Sequence, residues 1–111
     1  MPLTTFVQDG ERIDYTPGGD VALGAVVVQG ELVGIAVAAI AAGKRGTLAL
    51  AGIYDIAKAT GGGTAITAGA NVYWNAAGQV ATTSAAGNKL IGKSVLAAAD
   101  ADTSVRVRLF Q

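Results

Sequence analysis

The chain contains no cysteine and no histidine. The first absence removes any disulfide frame and any thiolate chemistry; the second removes the usual general base and the commonest metal ligand. Charged residues are also scarce, at 14% of 111 residues against about 25% in an average soluble domain. Eight basic and eight acidic side chains cancel, so no long-range field gathers nucleic acid or an anionic membrane surface. Long hydrophobic runs are missing too. Val21 to Gly43 is broken by Gln29 and Glu31, and Leu32 to Gly43 falls short of the roughly 20 apolar residues a membrane helix needs. The start, MPLTTFVQDGERIDY, has neither a basic head nor an apolar core followed by a small-residue cleavage site, so no secretion signal is expected.

What is present is an abundance of alanine, valine and glycine arranged with period two. Thr103 to Phe110, TSVRVRLF, sets Val105, Val107 and Leu109 against Ser104, Arg106 and Arg108, the alternation of a half-buried strand. The same grammar recurs in RIDYT, LVGIAV, TLALAGIYDI, NVYW, QVATT and LIGKSVLA, each bounded by Gly, Asn or Asp. Asp9-Gly10 suits a hairpin turn between TTFVQ and ERIDYT, and Gly30 one between VALGAVVVQ and LVGIAV. AAIAAGKRG is too short to stand as a helix and reads as a loop. TLALAGIYDI reads as one long or bent strand kinked at Gly52, and ATGGGTAITAG as a flexible loop dividing two β halves. NVYW and QVATT form a third hairpin around Ala76-Ala77-Gly78; KLIGKSVLA pairs with SVRVRLF across AADAD. Turn signals every 8–12 residues predict an all-β fold. The expected form is a small single-domain barrel or sandwich of short antiparallel strands with Gly-rich turns, spanning residues 1–111.

Chemical motifs are few. Gly87 to Ser94, GNKLIGKS, satisfies the G-x-x-x-x-G-K-[ST] pattern of a phosphate-binding loop. Such a loop must leave a buried strand and open a helix, whereas QVATTSAA precedes this one and an alternating strand ends the chain soon after it. Nucleotide binding is therefore ranked last, and a strand containing Gly92 with solvated Lys89 and Lys93 is preferred. Asp100 and Asp102 are two oxygen donors where calcium takes six to eight, so they are read as turn residues. The remaining acids, Asp9, Glu11, Asp14, Asp20, Glu31 and Asp55, show no pairing suited to acid–base chemistry. Ser84, Ser94 and Ser104 have no histidine to activate them, and Lys93 and Ser94 point to opposite faces of one strand. No catalytic residue, cofactor or metal is expected.

Strand parity instead points to surfaces. Trp74 shares a face with Val72 and is assigned to the core, which turns Tyr73 outward beside Asn71. Arg106 and Arg108 share a face with Phe110, either solvated or buried between subunits. Met1 to Thr5 carries no charge and is either a frayed end or an arm laid on a neighbour. The candidate interface residues are Leu3, Phe6, Tyr73, Arg106, Arg108 and Phe110.

Over nearly its whole length, the chain resembles the tailed-phage capsid cement or decoration proteins, some of which carry the label predicted RecA/RadA-type phage recombinase. The resemblance is clearest in FVQDGERIDYT, LALAGIYDIAKATG, AGANVYWNAAGQVATT and LIGKSVLAAADADTSVRVRL. It implies a structural virion protein on the outside of an expanded phage head, made in the host cytoplasm, that ties capsomers together. Its implied partners are the major capsid protein and itself, as a homotrimer or alternatively a dimer, without nucleic acid or membrane. The alternative function is a carbohydrate or host-surface binding module displayed on the head.

Overall fold

Two halves of the chain bury their apolar residues in different ways, and each builds its own sheet. The computed structural model describes residues 3–5 and 10–109, and among these there is no helix, so none is long and apolar enough to cross a membrane. Strands β1 (Arg12–Tyr15), β2 (Val26–Gln29), β3 (Leu32–Ala36) and β4 (Gly46–Ala49) form a four-stranded sheet in the order β1-β4-β3-β2. Strands β5 (Gly52–Ala57), β6 (Asn71–Asn75), β7 (Val80–Thr82), β8 (Lys89–Ser94) and β9 (Ser104–Leu109) form a five-stranded sheet in the order β5-β9-β8-β6-β7. Every ladder is antiparallel. The edges of the second sheet touch at a single parallel bridge, Lys58 to Ala81, without a continued ladder. Of the two expected forms, a closed barrel is therefore not made.

The lack of alternation in LVGIA follows from burial on both sides. Val33 and Ile35 face the five-stranded sheet and join one core with Ile56, Ile66, Val72, Trp74, Ile91, Val105, Val107 and Leu109. Ala36 points the other way, into a second cluster with Ile40 and Leu48. In β9 the alternation is complete: Val105, Val107 and Leu109 are buried while Ser104, Arg106 and Arg108 are exposed. Each Val, Leu or Ile side chain fully buried in this way is worth about 1.5–3 kcal/mol.

The expected β2–β3, β6–β7 and β8–β9 hairpins are present. Three expectations need correction or fall outside the description. TLALAGIYDI is not one bent strand: β4 and β5 lie in different sheets, and Gly52 takes a φ of +120° where the chain crosses between them. Only glycine adopts that angle without strain. The break between the β halves is thus at Leu50-Ala51, not in the loop over residues 59–69. Phe6 to Asp9 lies outside the described residues; the partner of β1 among those described is β4.

The loop after β5 is held by a buried cation. Lys58 is 4% exposed, and its Nζ donates to the carbonyls of Ala59 at 2.7 Å, Asp102 at 3.3 Å and Asp100 at 3.5 Å, and to Thr64 Oγ1 at 3.3 Å. The Asp100 carboxylate accepts the N–H groups of Thr64 and Ala65, and that of Asp102 accepts the N–H of Ala99. Both acids therefore serve backbone hydrogen bonding, although Asp100 reaches across to the other loop instead of within its own turn. Lys58→Met keeps the aliphatic stem but removes the ammonium donor from the Ala59 and Asp102 carbonyls, while that of Asp100 keeps the Gly61 N–H. It is predicted to lose about 2–3 kcal/mol in urea unfolding, whereas Lys93→Met on the exposed face changes stability by no more than about 0.5 kcal/mol.

Candidate interaction surfaces

Three of the residues expected at an interface, Tyr73, Arg106 and Arg108, are brought to one surface: the outer face of the five-stranded sheet. Their inward neighbours explain why. Val72 and Trp74 fill the core at 0% and 5% exposure, so Tyr73 stands outward, half-buried. Val105 and Val107 likewise force Arg106 and Arg108 out. Register aligns Ile53, Arg108, Lys93 and Asn71 in one row across β5, β9, β8 and β6. Lys93 donates to Asn71 Oδ1 at 2.8 Å.

In the next row Asp55 lies directly opposite Arg106. The guanidinium donates twice, Nε to Oδ1 at 2.9 Å and Nη2 to Oδ2 at 3.2 Å, the fork geometry that suits a carboxylate. These hydrogen bonds hold the Asp55 carboxyl below the usual carboxylate range, and Asp55 raises Arg106 in turn. Nothing in the sequence paired these two residues, which stand 51 positions apart; only the β5–β9 register makes them neighbours. A second ion pair, Lys89 to Glu31 at 2.6 Å, joins the start of β8 to the β2–β3 turn and so bridges the two sheets.

Of the other predicted interface residues, Leu3 is 99% exposed, while Phe6 and Phe110 lie outside the described residues. The phosphate-loop pattern does not form such a loop. Lys89 to Ser94 is strand β8, so no helix opens after Gly92, and Lys93 and Ser94 point to opposite faces. Ser94 Oγ is buried and donates to the Thr67 carbonyl. Lys89, expected to be solvated, is partly exposed and pairs with Glu31. Among the described residues no group of three or more His, Cys, Asp or Glu is placed to hold a metal ion.

One surface was not legible in the sequence. A cleft of about 460 Å³ opens between the sheets, lined chiefly by Leu23, Val26, Ile35, Tyr54, Ile56 and Trp74, with Asp55 its one charged wall residue. Leu23, 69% exposed, stands at its margin. The cleft joins residues from both sheets, and no spacing along the chain announces which strand edges will meet.

The fold and these surfaces define an all-β module whose described features are faces and edges for contact. A model of the phage cement protein family matches residues 7–109. The chain belongs to that family, and is thereby a structural protein of the phage virion. Comparison with curated proteins and with solved structures gave no match.

The Asp55–Arg106 pair gives a pH test. Because folding lowers the Asp55 pKa, its contribution is fully present above the unfolded value, about 3.9, and is lost as pH falls through the lower folded value. Asp55→Asn should therefore be less stable than the parent at pH 7, with the difference shrinking steadily below about pH 4. A difference that stays constant down to pH 2 would contradict the assignment.

Proposed function

We propose that this cement protein binds the outer surface of the expanded phage head and stabilises contacts between neighbouring capsomers, with the major capsid protein as its partner and three copies acting together. The observation that carries the reading is the family match over residues 7–109, joined to an outer sheet face that presents Tyr73, Arg106 and Arg108 together. Tyr and Arg are enriched among the residues that anchor protein interfaces. Leu3, Phe6 and Phe110 complete the proposed contact set, and the uncharged residues 1–5 serve as an arm on a neighbour. The protein is made in the host cytoplasm and resides on the virion.

The energetics suit this role. A contact of ordinary size buries about 800 Å² per partner, and linking several such contacts in one oligomer converts later binding steps into intramolecular ones. Selectivity for expanded heads follows if their subunits reach the right spacing only after expansion. The glycan-binding alternative finds less support: among the described aromatics Trp74 is buried and Tyr15, Tyr54 and Tyr73 are half-buried, leaving no open ring platform.

Co-sedimentation with expanded and unexpanded heads assembled from the major capsid protein of the same phage tests the proposal. Saturable binding to expanded heads alone is expected. Equal binding to both forms would remove the expansion mechanism, and binding to neither would remove the head-surface role.

A further inference from the structure

The ends of a β-sheet are adhesive unless something covers or blunts them, and this chain treats its edges unequally. Edge strand β1 carries Arg12 and Asp14, and edge strand β7 is only three residues long. Among the described residues, edge strands β2 and β5 lack such protection along their length, the β7 contact being confined to the bridge at Lys58. The sequence of β2 is VVVQ, without charge, and β5 is GIYDIA, whose one charge is drawn across the strand to Arg106. Residues from both strands line the inter-sheet cleft.

The cleft runs along the β5 edge. Successive strand side chains point to opposite faces, yet Tyr54, Asp55, Ile56 and Ala57 all line it, which requires that it follow the backbone and not one face. The direction of the backbone groups can be read from the ladder. Lys58 donates its N–H to the Thr103 carbonyl, so residues 58, 56 and 54 turn toward β9. Alternation then points the N–H and C=O groups of Ile53 and Asp55, and the N–H of Ala57, away from β9 toward the cleft side. Among the described residues the sheet order places no strand along that side of β5, and β7 meets the chain only just past its end, at the Lys58–Ala81 bridge.

We infer that this cleft takes an extended segment of the shell protein, which adds as a strand to the open edge of β5 and sets uncharged, apolar side chains between the sheets. The backbone groups select an extended peptide. The wall selects its side chains: Val26, Ile35, Ile56 and Trp74 are apolar, and Asp55 is already neutralised by Arg106, so a charged segment would find no counter-charge. A second copy of this chain fits less well, since among its described strands each is already docked in a sheet and could meet β5 only edge to edge, without setting side chains between the sheets. The inference rests on the cement reading and adds to it the site and the kind of segment captured.

Because the chain has no cysteine, Leu23→Cys supplies a single thiol at the cleft margin for a photoactivatable cross-linker. After binding to expanded heads and irradiation, the cross-linked peptide is identified by mass spectrometry. The expected product joins residue 23 to one uncharged segment of the major capsid protein; cross-links only to another copy of this chain, or only to charged surface loops of the shell, would overturn the inference. In parallel, Leu23→Asp places a charge at the margin without disturbing the core, and Ala57→Pro removes an outward N–H without touching the β9 ladder. Each should weaken head binding about tenfold or more, a change of about 1.4 kcal/mol, while the thermal unfolding of Leu23→Asp stays that of the parent. If the parent binds heads and Leu23→Asp binds equally well, the cleft inference fails and the cement reading stands. If the parent itself does not bind, both fall.

Discussion

Val33 and Ile35 project from the four-stranded sheet into the apolar cluster that Ile56, Ile91, Trp74 and Val107 build on the five-stranded one. That seam makes two sheets one body. Neither sheet could stand alone with its inner face wet, because a small domain must bury its apolar surface to offset the entropy of ordering the chain. The Lys89–Glu31 pair crosses the same junction from outside, exposed and worth little in energy, but consistent in register with the seam beneath it. Everything proposed for binding depends on this joint: Val72, Val105 and Val107 are buried beneath the outer face, and the cleft is walled by residues of both sheets.

Much of this was legible in the sequence, for an identifiable reason. Strict alternation in TSVRVRLF predicts both the strand and which residues face out, and the same parity separates Trp74 from Tyr73. Hairpins closed by short turns pair strands that are neighbours in the chain, so β2–β3, β6–β7 and β8–β9 could be read locally. The misread element was TLALAGIYDI. Its apolar residues are continuous across the sheet-to-sheet crossing, and the signal that divides it is one backbone angle at Gly52. Lys58 was missed for a related reason: its carbonyl partners at Asp100 and Asp102 lie 42 and 44 residues away. Asp55 and Arg106, like the walls of the cleft, become neighbours only through the pairing of β5 with β9 and the docking of the sheets.

The low charge of the chain acquires a meaning in this frame. The described charged groups are spent largely on organising the molecule: Lys58 ties two loops, Arg106 pairs with Asp55 across the β5–β9 ladder, Asp100 holds the facing loop and Asp102 its own turn. The protein carries no formal net charge to steer it over long distances, so the proposed recognition rests on shape, apolar contact and backbone pairing at short range. Such contacts become strong when several are engaged together, and a rigid module displaying faces and open edges suits that mode of attachment.

A cement function means more than attachment, since a protein could coat a shell without strengthening it. The most direct measurement is the thermal disruption of expanded heads, followed by light scattering or calorimetry, with and without saturating protein. The account predicts that disruption moves to higher temperature as sites fill and levels off at saturation. Full occupancy with no change in the disruption temperature would contradict it.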